Sequence, residues 1–136
     1  MLTVTKTFRF EAAHHLPHYD GACQRLHGHS YKLQVTVTGK RITDENDPKC
    51  GMIIDFKDLK RIVNAKVVEA YDHSYLNDYF DNPTAENMVV KIAHDIVSGL
   101  PKDVLLVSCK LWETEDSYAE YKPEYQNAGD YLKSAT

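Results

Sequence analysis

The sequence predicts an α+β fold, with a four-stranded antiparallel sheet, two helices on one face and the order β-β-α-α-β-β. Apolar residues alternate with a period of two in stretches near both ends of the chain, which is the pattern of half-buried strands. Between these stretches lie two segments with the apolar spacing of amphipathic helices. The 136 residues contain no repeats or linkers, so we expect a single domain over residues 1–136.

The first two strands form a predicted hairpin. Residues 2–14 alternate so that one face carries four side chains, Phe8, Phe10, Ala12 and His14. A loop with the strand breakers Pro17 and Gly21 follows. The period of two then returns, and one face of the second strand carries His27, His29, Tyr31, Leu33, Val35 and Val37.

Two helices are predicted after the hairpin. Asp55 suits the N-cap of the first helix, whose apolar positions are Phe56, Leu59, Ile62, Val63, Val67 and Ala70. Thr84 suits the N-cap of the second helix, whose apolar stripe is Met88, Val89, Ile92, Ala93, Ile96, Val97 and Leu100. Gly99 and Pro101 indicate where the second helix ends.

Two strands complete the predicted sheet. Residues 103–114 alternate again, and one face is formed by Leu105, Val107, Cys109, Leu111 and Glu113. A short strand, SYAEYK, precedes Pro123, and no conformation is predicted for the polar stretch beyond it. Four strands leave two open sheet edges, which proteins usually cover or pair, so we expect copies of the chain to associate through these edges.

Composition excludes several classes of function. Sixteen Lys and Arg residues against twenty Asp and Glu residues give a net charge of -4, which does not suit binding to a phosphate backbone. The sequence has no apolar run long enough to span a bilayer and no secretory signal near its start. Three cysteines, an odd number, suit a reducing compartment. We therefore expect a soluble, cytoplasmic protein that binds neither nucleic acid nor membranes.

His14, His27 and His29 are the candidate metal ligands. His27 and His29 are two residues apart on a strand, so their side chains point to the same face. The antiparallel hairpin brings the end of the first strand, with His14, beside them. Three imidazoles without a fourth ligand nearby in sequence are typical of a catalytic zinc site with one open position. The alternative is three unrelated histidines that cap loops or line a polar core.

Cys23 is a candidate base or nucleophile. It lies four residues before His27, in a loop that must fold over the end of the hairpin. A thiol near a divalent cation loses its proton more readily, which would make Cys23 reactive near neutral pH. The alternatives are a fourth zinc ligand or an inert buried thiol.

Asp72, His73 and Glu113 are further candidates for chemistry. A carboxylate that orients a histidine is a common way to build a proton shuttle, although an Asp-His pair in a turn is more often a polar helix end. Glu113 ends the inward-facing stripe of its strand, which delivers a carboxylate to the rim of the buried face. A strand-end residue that turns out to water is the alternative for Glu113.

Six ordered segments of the chain resemble the 6-pyruvoyl-tetrahydropterin synthase family. They are spread along nearly the whole sequence and read FEAAHHLPH, CQRLHGHSY, GMIIDF, DHSYLN, PTAEN and LWETEDSYAEY. The resemblance implies that Zn²⁺ is bound by His14, His27 and His29. It also implies roles for the other candidates: catalysis for Cys23 and for the pair Asp72 and His73, a pterin anchor for Glu113, and a position near the pterin pocket for Thr84.

The resemblance further implies a fold, an assembly and a substrate. The fold is the T-fold, or tunnelling fold, in which trimers close their sheets into a barrel and two trimers stack into a hexamer. Active sites then lie at subunit interfaces. The implied substrate is 7,8-dihydroneopterin triphosphate, whose triphosphate requires a local basic pocket, with Arg25 and Lys32 among the candidates.

One spacing favours a branch of the family. Cys23, His27 and His29 form Cys-x3-His-x-His, which resembles the bacterial 6-carboxy-5,6,7,8-tetrahydropterin synthases. These zinc-dependent lyases make the queuosine precursor and release triphosphate and acetaldehyde. The alternatives are a 6-pyruvoyl-tetrahydropterin synthase proper, which typically has a longer insertion here, and a zinc-stabilised assembly module without catalysis.

Overall fold

The structure is a computed structural model and describes residues 1–124 of the chain. Its strands are β1 (Thr3–His14), β2 (His27–Gly39), β3 (Ser74–Tyr75), β4 (Val104–Thr114) and β5 (Ser117–Tyr121). Its longer helices are α1 (Phe56–Val63), which continues through a π-helical turn (Asn64–Val68) into α2 (Glu69–Tyr71), and α3 (Ala85–Gly99). Most of the polar stretch after Pro123, from residue 125 onward, lies outside the described residues.

The predicted hairpin is confirmed by the pairing of β1 with β2. The two strands are antiparallel from Thr3↔Thr38 to His14↔His27. Residues directly opposite each other share a face of the sheet, and pairs such as Phe8↔Leu33 and Phe10↔Tyr31 are buried on the core side. The same alternation continues to the end of the hairpin, where the histidines stand.

Within residues 1–124 the sheet has five strands, so the prediction of four was wrong. Its order is β3-β1-β2-β4-β5, and β3 pairs with β1 in parallel, which makes the sheet mixed rather than antiparallel. Strand β3 is only two residues long, too short to show a period of two, and pairing with β1 defines it. Among the described residues, β3 and β5 are the edge strands of an open sheet, and a barrel closed by oligomerisation stays a prediction.

Both predicted helix caps are confirmed. The Asp55 side chain accepts a hydrogen bond from the backbone N–H of Lys57, and the Thr84 hydroxyl accepts one from the backbone N–H of Asn87. The helices bury their apolar stripes against one face of the sheet. Phe56 and Val97 are exceptions to the predicted stripes, since they are 53% and 48% exposed.

Strand β4 contains a bulge, and the predicted face was wrong for the residues before it. Thr36 pairs with Ser108, but the next residue of β2 pairs with Leu106, so Val107 is an extra residue in β4. One extra residue reverses which side chains face the core. Val104 and Leu106 therefore belong to the core cluster before the bulge, whereas Val107 does not and Leu105, although only 4% exposed, lies outside that cluster. Cys109 and Leu111 keep the predicted face.

A helix that spans a membrane must be both long and apolar. Helix α3 has 15 residues, fewer than the roughly 20 needed to cross a bilayer. Within residues 1–124, no helix combines the length and the hydropathy of a membrane span.

Candidate metal centre

The structure brings His14, His27 and His29 together at the end of the β1–β2 hairpin. One ring nitrogen from each lies within 4.8 Å of the others. The Nε2 atoms of His14 and His27 are 3.1 Å apart, and the three ring centroids are separated by 4.7–5.0 Å. The cluster forms because His14 pairs directly with His27 while His29 lies two residues along the same face of β2. Three imidazoles therefore converge from two adjacent strands.

Hydrogen bonds to backbone carbonyls orient two of the rings. Nδ1 of His14 lies 2.9 Å from the carbonyl oxygen of Pro83, and Nδ1 of His27 lies 2.7 Å from that of Arg25. A carbonyl oxygen only accepts, so both Nδ1 atoms are assigned as donors, and in the neutral rings both Nε2 atoms carry lone pairs. Two lone pairs 3.1 Å apart repel each other unless a cation lies between them. Metal-bound histidines almost always donate their other ring N–H to a carboxylate, a backbone carbonyl or a water, and both rings fit this pattern.

His29 provides a second, independent observation that fits a bound metal ion. Its Nε2 is buried and has no hydrogen-bond partner among the described residues. The nearest carboxylate oxygen, Oε1 of Glu113, is 3.3 Å away, but the contact lacks hydrogen-bond geometry. Buried polar atoms are rarely left unpaired, and a metal ion would satisfy this one. The donor set of three imidazole nitrogens therefore fits zinc.

The electrostatics of the cluster favour neutral ligands. Burial lowers the pKa of His14, whose side chain is fully buried, although the hydrogen bond to Pro83 partly opposes this. Burial also lowers the pKa of His29, and the negative charge of Glu113 partly opposes it. A lowered pKa keeps an imidazole unprotonated at neutral pH, and only the unprotonated ring binds a metal.

Three groups that contact the histidine rings were not predicted: the Tyr31 hydroxyl and the backbone carbonyls of Arg25 and Pro83. The Tyr31 hydroxyl lies 3.2 Å from Nδ1 of His14, and burial raises the pKa of this fully buried phenol, so it stays protonated. The period of two already placed Tyr31 on the face of His27 and His29, which was a usable signal. The carbonyls of Arg25 and Pro83 have no sequence signature, because every residue has one.

Cys23 lies in the loop between the two ligand strands. It belongs to a one-turn 3₁₀ helix, Ala22–Gln24, and its carbonyl accepts a hydrogen bond from the Leu16 N–H at 2.9 Å. This bond folds the loop back toward the end of β1. The thiol is free and half-buried, and its sulfur is not among the clustered ligand atoms. Its catalytic role stays a prediction.

Asp72 and His73 are fixed against the edge of β1. Oδ1 of Asp72 accepts from the Glu11 N–H at 2.9 Å, and the His73 N–H donates to the Glu11 carbonyl at 2.6 Å. His73 adopts the left-handed region, with φ of 59°, where a non-glycine residue is uncommon. Oδ2 of Asp72 is 3.7 Å from Nε2 of His73, an ion-pair distance too long for a hydrogen bond. An open cleft of about 430 Å³ is lined by both His73 and His29.

Glu113 contacts the histidine cluster through its own side chain, whereas Thr84 is linked to it only through the neighbouring Pro83. The Glu113 carboxylate reaches His29 directly, at the 3.3 Å given above, so the strand-end carboxylate points inward. The Thr84 hydroxyl is engaged in capping α3, and the preceding residue, Pro83, supplies the carbonyl that orients His14. The pterin-binding roles of Glu113 and Thr84 stay predictions.

Comparison with known proteins places the chain in a family. The family model described as 6-pyruvoyl tetrahydropterin synthase matches residues 3–124. A protein from Haemophilus influenzae named 6-carboxy-5,6,7,8-tetrahydropterin synthase is 33% identical, over 90% of this chain and 99% of its own length. A Synechocystis protein with the same name is 39% identical, over 89% and 93% of the two chains.

Two further proteins widen the comparison. A dihydroneopterin monophosphate aldolase from Pyrococcus furiosus is 39% identical, over 76% of this chain and 82% of its own. The structure of Caenorhabditis elegans 6-pyruvoyl tetrahydropterin synthase superposes with a TM-score of 0.75 at 26% identity, over 90% of this chain and 96% of that one. With the family model matched along almost the whole described chain, the protein belongs to the 6-pyruvoyl tetrahydropterin synthase family.

Proposed function

We propose that this protein is a zinc-dependent lyase that converts 7,8-dihydroneopterin triphosphate into 6-carboxy-5,6,7,8-tetrahydropterin, with release of triphosphate and acetaldehyde, in queuosine biosynthesis. The observation that carries the proposal is the cluster of three imidazoles, one buried and two half-buried. Two of the rings are oriented by carbonyls, and the third has a buried Nε2 without a hydrogen-bond partner among the described residues. The relatives from Haemophilus influenzae and Synechocystis, which are named for this product, support the choice of reaction.

Each ligand histidine has a defined task in this proposal. His14, His27 and His29 bind zinc through the ring nitrogens that converge, while Pro83 and Arg25 hold two of the rings in place. Zinc, when bound, acts as a Lewis acid that polarises oxygen atoms of the substrate side chain and stabilises negative charge that develops beside the ring.

Two groups are proposed to move protons. Cys23, as a thiolate, takes a proton from or returns it to a side-chain carbon of the substrate. His73 handles the second proton. The hydrogen bonds that its backbone and the Asp72 carboxylate make with the Glu11 backbone support a fixed backbone position for it, while its side chain is 81% exposed and accessible to a substrate. That His73 and His29 line one cleft supports a shared substrate.

Charged residues are proposed to bind the two ends of the substrate. Glu113 accepts a bidentate hydrogen bond from the N–H edge of the pterin. Arg25 is the better candidate for the triphosphate, because its carbonyl bonds to His27 at the metal cluster. Lys32 is the poorer candidate, since alternation along β2 turns it to the face opposite His29, where its Nζ lies 4.0 Å from the centroid of the Trp112 ring.

The assembly proposed for this enzyme is a hexamer of two stacked trimers in the cytoplasm, with active sites between subunits. Within the described part of the chain, β5 is an edge strand and the other edge is covered only by the very short β3. Both observations support association through the sheet, because open edges are usually paired.

Product analysis tests the proposed reaction. Zinc-loaded protein is incubated with 7,8-dihydroneopterin triphosphate, the pterin is identified by mass and acetaldehyde is assayed. We expect 6-carboxytetrahydropterin with acetaldehyde. A 6-pyruvoyl product would instead establish the related synthase activity, and no turnover in the presence of bound zinc would favour an assembly module. Dihydroneopterin monophosphate is included as a second substrate, because the relative from Pyrococcus furiosus is named for it.

Glu113→Gln tests the pterin anchor separately from the metal. The substitution keeps the size of the side chain but removes its charge, and a charge-assisted hydrogen bond contributes about 1.5–3 kcal/mol. We expect affinity for a non-reacting dihydropterin to fall roughly 10–150-fold, with zinc content unchanged. Calorimetric titration of the zinc-loaded proteins measures the affinity.

The matched control for this experiment is Glu115→Gln, an exposed glutamate two residues further along the chain. Its pterin affinity should equal that of the wild type. Because Oε1 of Glu113 lies 3.3 Å from Nε2 of His29, zinc content is measured in every variant. Loss of zinc from Glu113→Gln, or unchanged pterin affinity, would rule out a role confined to anchoring the pterin.

A further inference from the structure

The outer edge of β1 is barely covered near the metal cluster. Along its other edge β1 pairs with β2 over its whole length, but β3 covers the outer edge only at Ala12↔Ser74 and Ala13↔Tyr75. The next residue is His14, whose imidazole is fully buried and whose Nε2 is 3.1 Å from that of His27. Beyond the end of β3, another group must hold the β1 backbone at this point.

The side chain of Asn77 provides that support. Its Oδ1 accepts a hydrogen bond from the His15 N–H at 3.0 Å, and its Nδ2 donates to the His15 carbonyl at 3.0 Å. A side-chain amide has the same donor and acceptor as a peptide group, so Asn77 replaces the strand neighbour that β3 no longer supplies. Asn77 lies in the 3₁₀ turn Leu76–Asp78, next to the fully buried Leu76, which anchors the turn in the core.

The His15 N–H belongs to the peptide group that joins His14 to His15. Holding this group fixes the backbone of His14 and with it the direction in which the imidazole leaves the strand. Groups that bind a metal must stay within about 0.5 Å of their productive arrangement to bind it tightly. The ring of His14 is held at Nδ1 by Pro83, and its backbone is held through Asn77.

We propose that Asn77 is a positioning residue of the metal site, acting on the ligand His14 through the backbone of His15. The inference rests on the proposed role of His14 as a metal ligand and adds a residue that touches neither metal nor substrate. Removing groups that hydrogen-bond to metal ligands typically lowers metal affinity 10–100-fold. Asn77→Ala should therefore lower zinc affinity about 10-fold, since its effect passes through one further residue.

The test measures metal binding rather than turnover. Zinc affinity is determined by competition with a chromophoric chelator, the absorption spectrum of bound Co²⁺ reports the site geometry, and urea unfolding of the chelated protein reports the fold. The variants are Asn77→Ala and Asn77→Asp, which keeps the acceptor for the His15 N–H but loses the donor. Asn46→Ala, at an exposed asparagine in the connection between β2 and α1, is the control.

A positioning role and a merely structural one give different results. We expect weaker zinc binding in Asn77→Ala and altered Co²⁺ spectra in both Asn77 variants, while Asn46→Ala matches the wild type. Asn77→Asp provides the spectrum if Asn77→Ala does not fold. Lower stability of the chelated protein with zinc affinity and Co²⁺ spectrum unchanged would overturn the inference and leave the proposed reaction intact. A wild type that binds no metal would overturn both.

Discussion

Replacing His29 by alanine is expected to abolish metal binding and turnover while leaving the protein folded. The Nε2 of His29 has no hydrogen-bond partner in the described part of the chain, so its removal breaks no such bond. His14→Ala would be a poorer test, because that side chain is fully buried and its loss would leave a cavity. Changes to groups that merely orient metal ligands lower affinity 10–100-fold, so loss of a ligand should lower it by more than about 100-fold.

Zinc content after gel filtration, circular dichroism and turnover together measure this effect. His27→Ala should behave in the same way, with an added loss of the bond to the Arg25 carbonyl. The control is His94→Ala, since His94 is an exposed residue of α3 outside the cluster. If His29→Ala and His27→Ala both keep their zinc, the three-histidine site is wrong.

Cys23→Ala should retain zinc yet lose most of its turnover. The thiol is proposed to transfer a proton, and such groups typically contribute about 10²–10⁴-fold to the rate. Retention of the metal is expected because the ligand atoms that cluster within 4.8 Å come from the three histidines. The loop should keep its shape, since it is held to Leu16 through the backbone of Cys23, which the substitution does not change.

Steady-state kinetics and metal analysis of the same preparation separate the two properties. Cys50→Ala is the matched control, because Cys50 is an exposed free thiol in the connection between β2 and α1. It should match the wild type in both measurements. If zinc and activity were lost together in Cys23→Ala, the sulfur would be a fourth ligand, and a structural zinc module would become the better description.

The histidine cluster could be predicted from the sequence because the face on which a strand side chain lies depends only on its position along that strand. A period of two assigns His14 to one face of β1 and both His27 and His29 to one face of β2, whatever the rest of the chain does. The loop between the strands, residues 15–26, lacks the amphipathic pattern of a crossover helix, which leaves an antiparallel hairpin as the natural connection. The hairpin brings together the two faces that carry the histidines. The helix caps Asp55 and Thr84 were predictable for the same reason, since a cap acts within three residues.

Two features of the sheet were not predictable in this way. Strand β3 exists because two residues after the His73 turn reach the edge of β1, and two residues carry no periodic signal. The bulge at Val107 arises where β4 meets β2, and it reverses the alternation of the residues before it. Both depend on how one strand meets another that is distant in sequence.

The amino-acid pattern alone therefore determined the hairpin, the two capped helices and the face on which three imidazoles meet. Tertiary structure alone decided how His14 is held: Pro83 and Asn77 are both more than 60 residues from the His14–His15 segment that they bond. The physical reason is the reach of the interactions. Alternation and capping act between neighbours in the chain, whereas a carbonyl or an amide acquires its role only from the partner that folding brings within 3 Å of it.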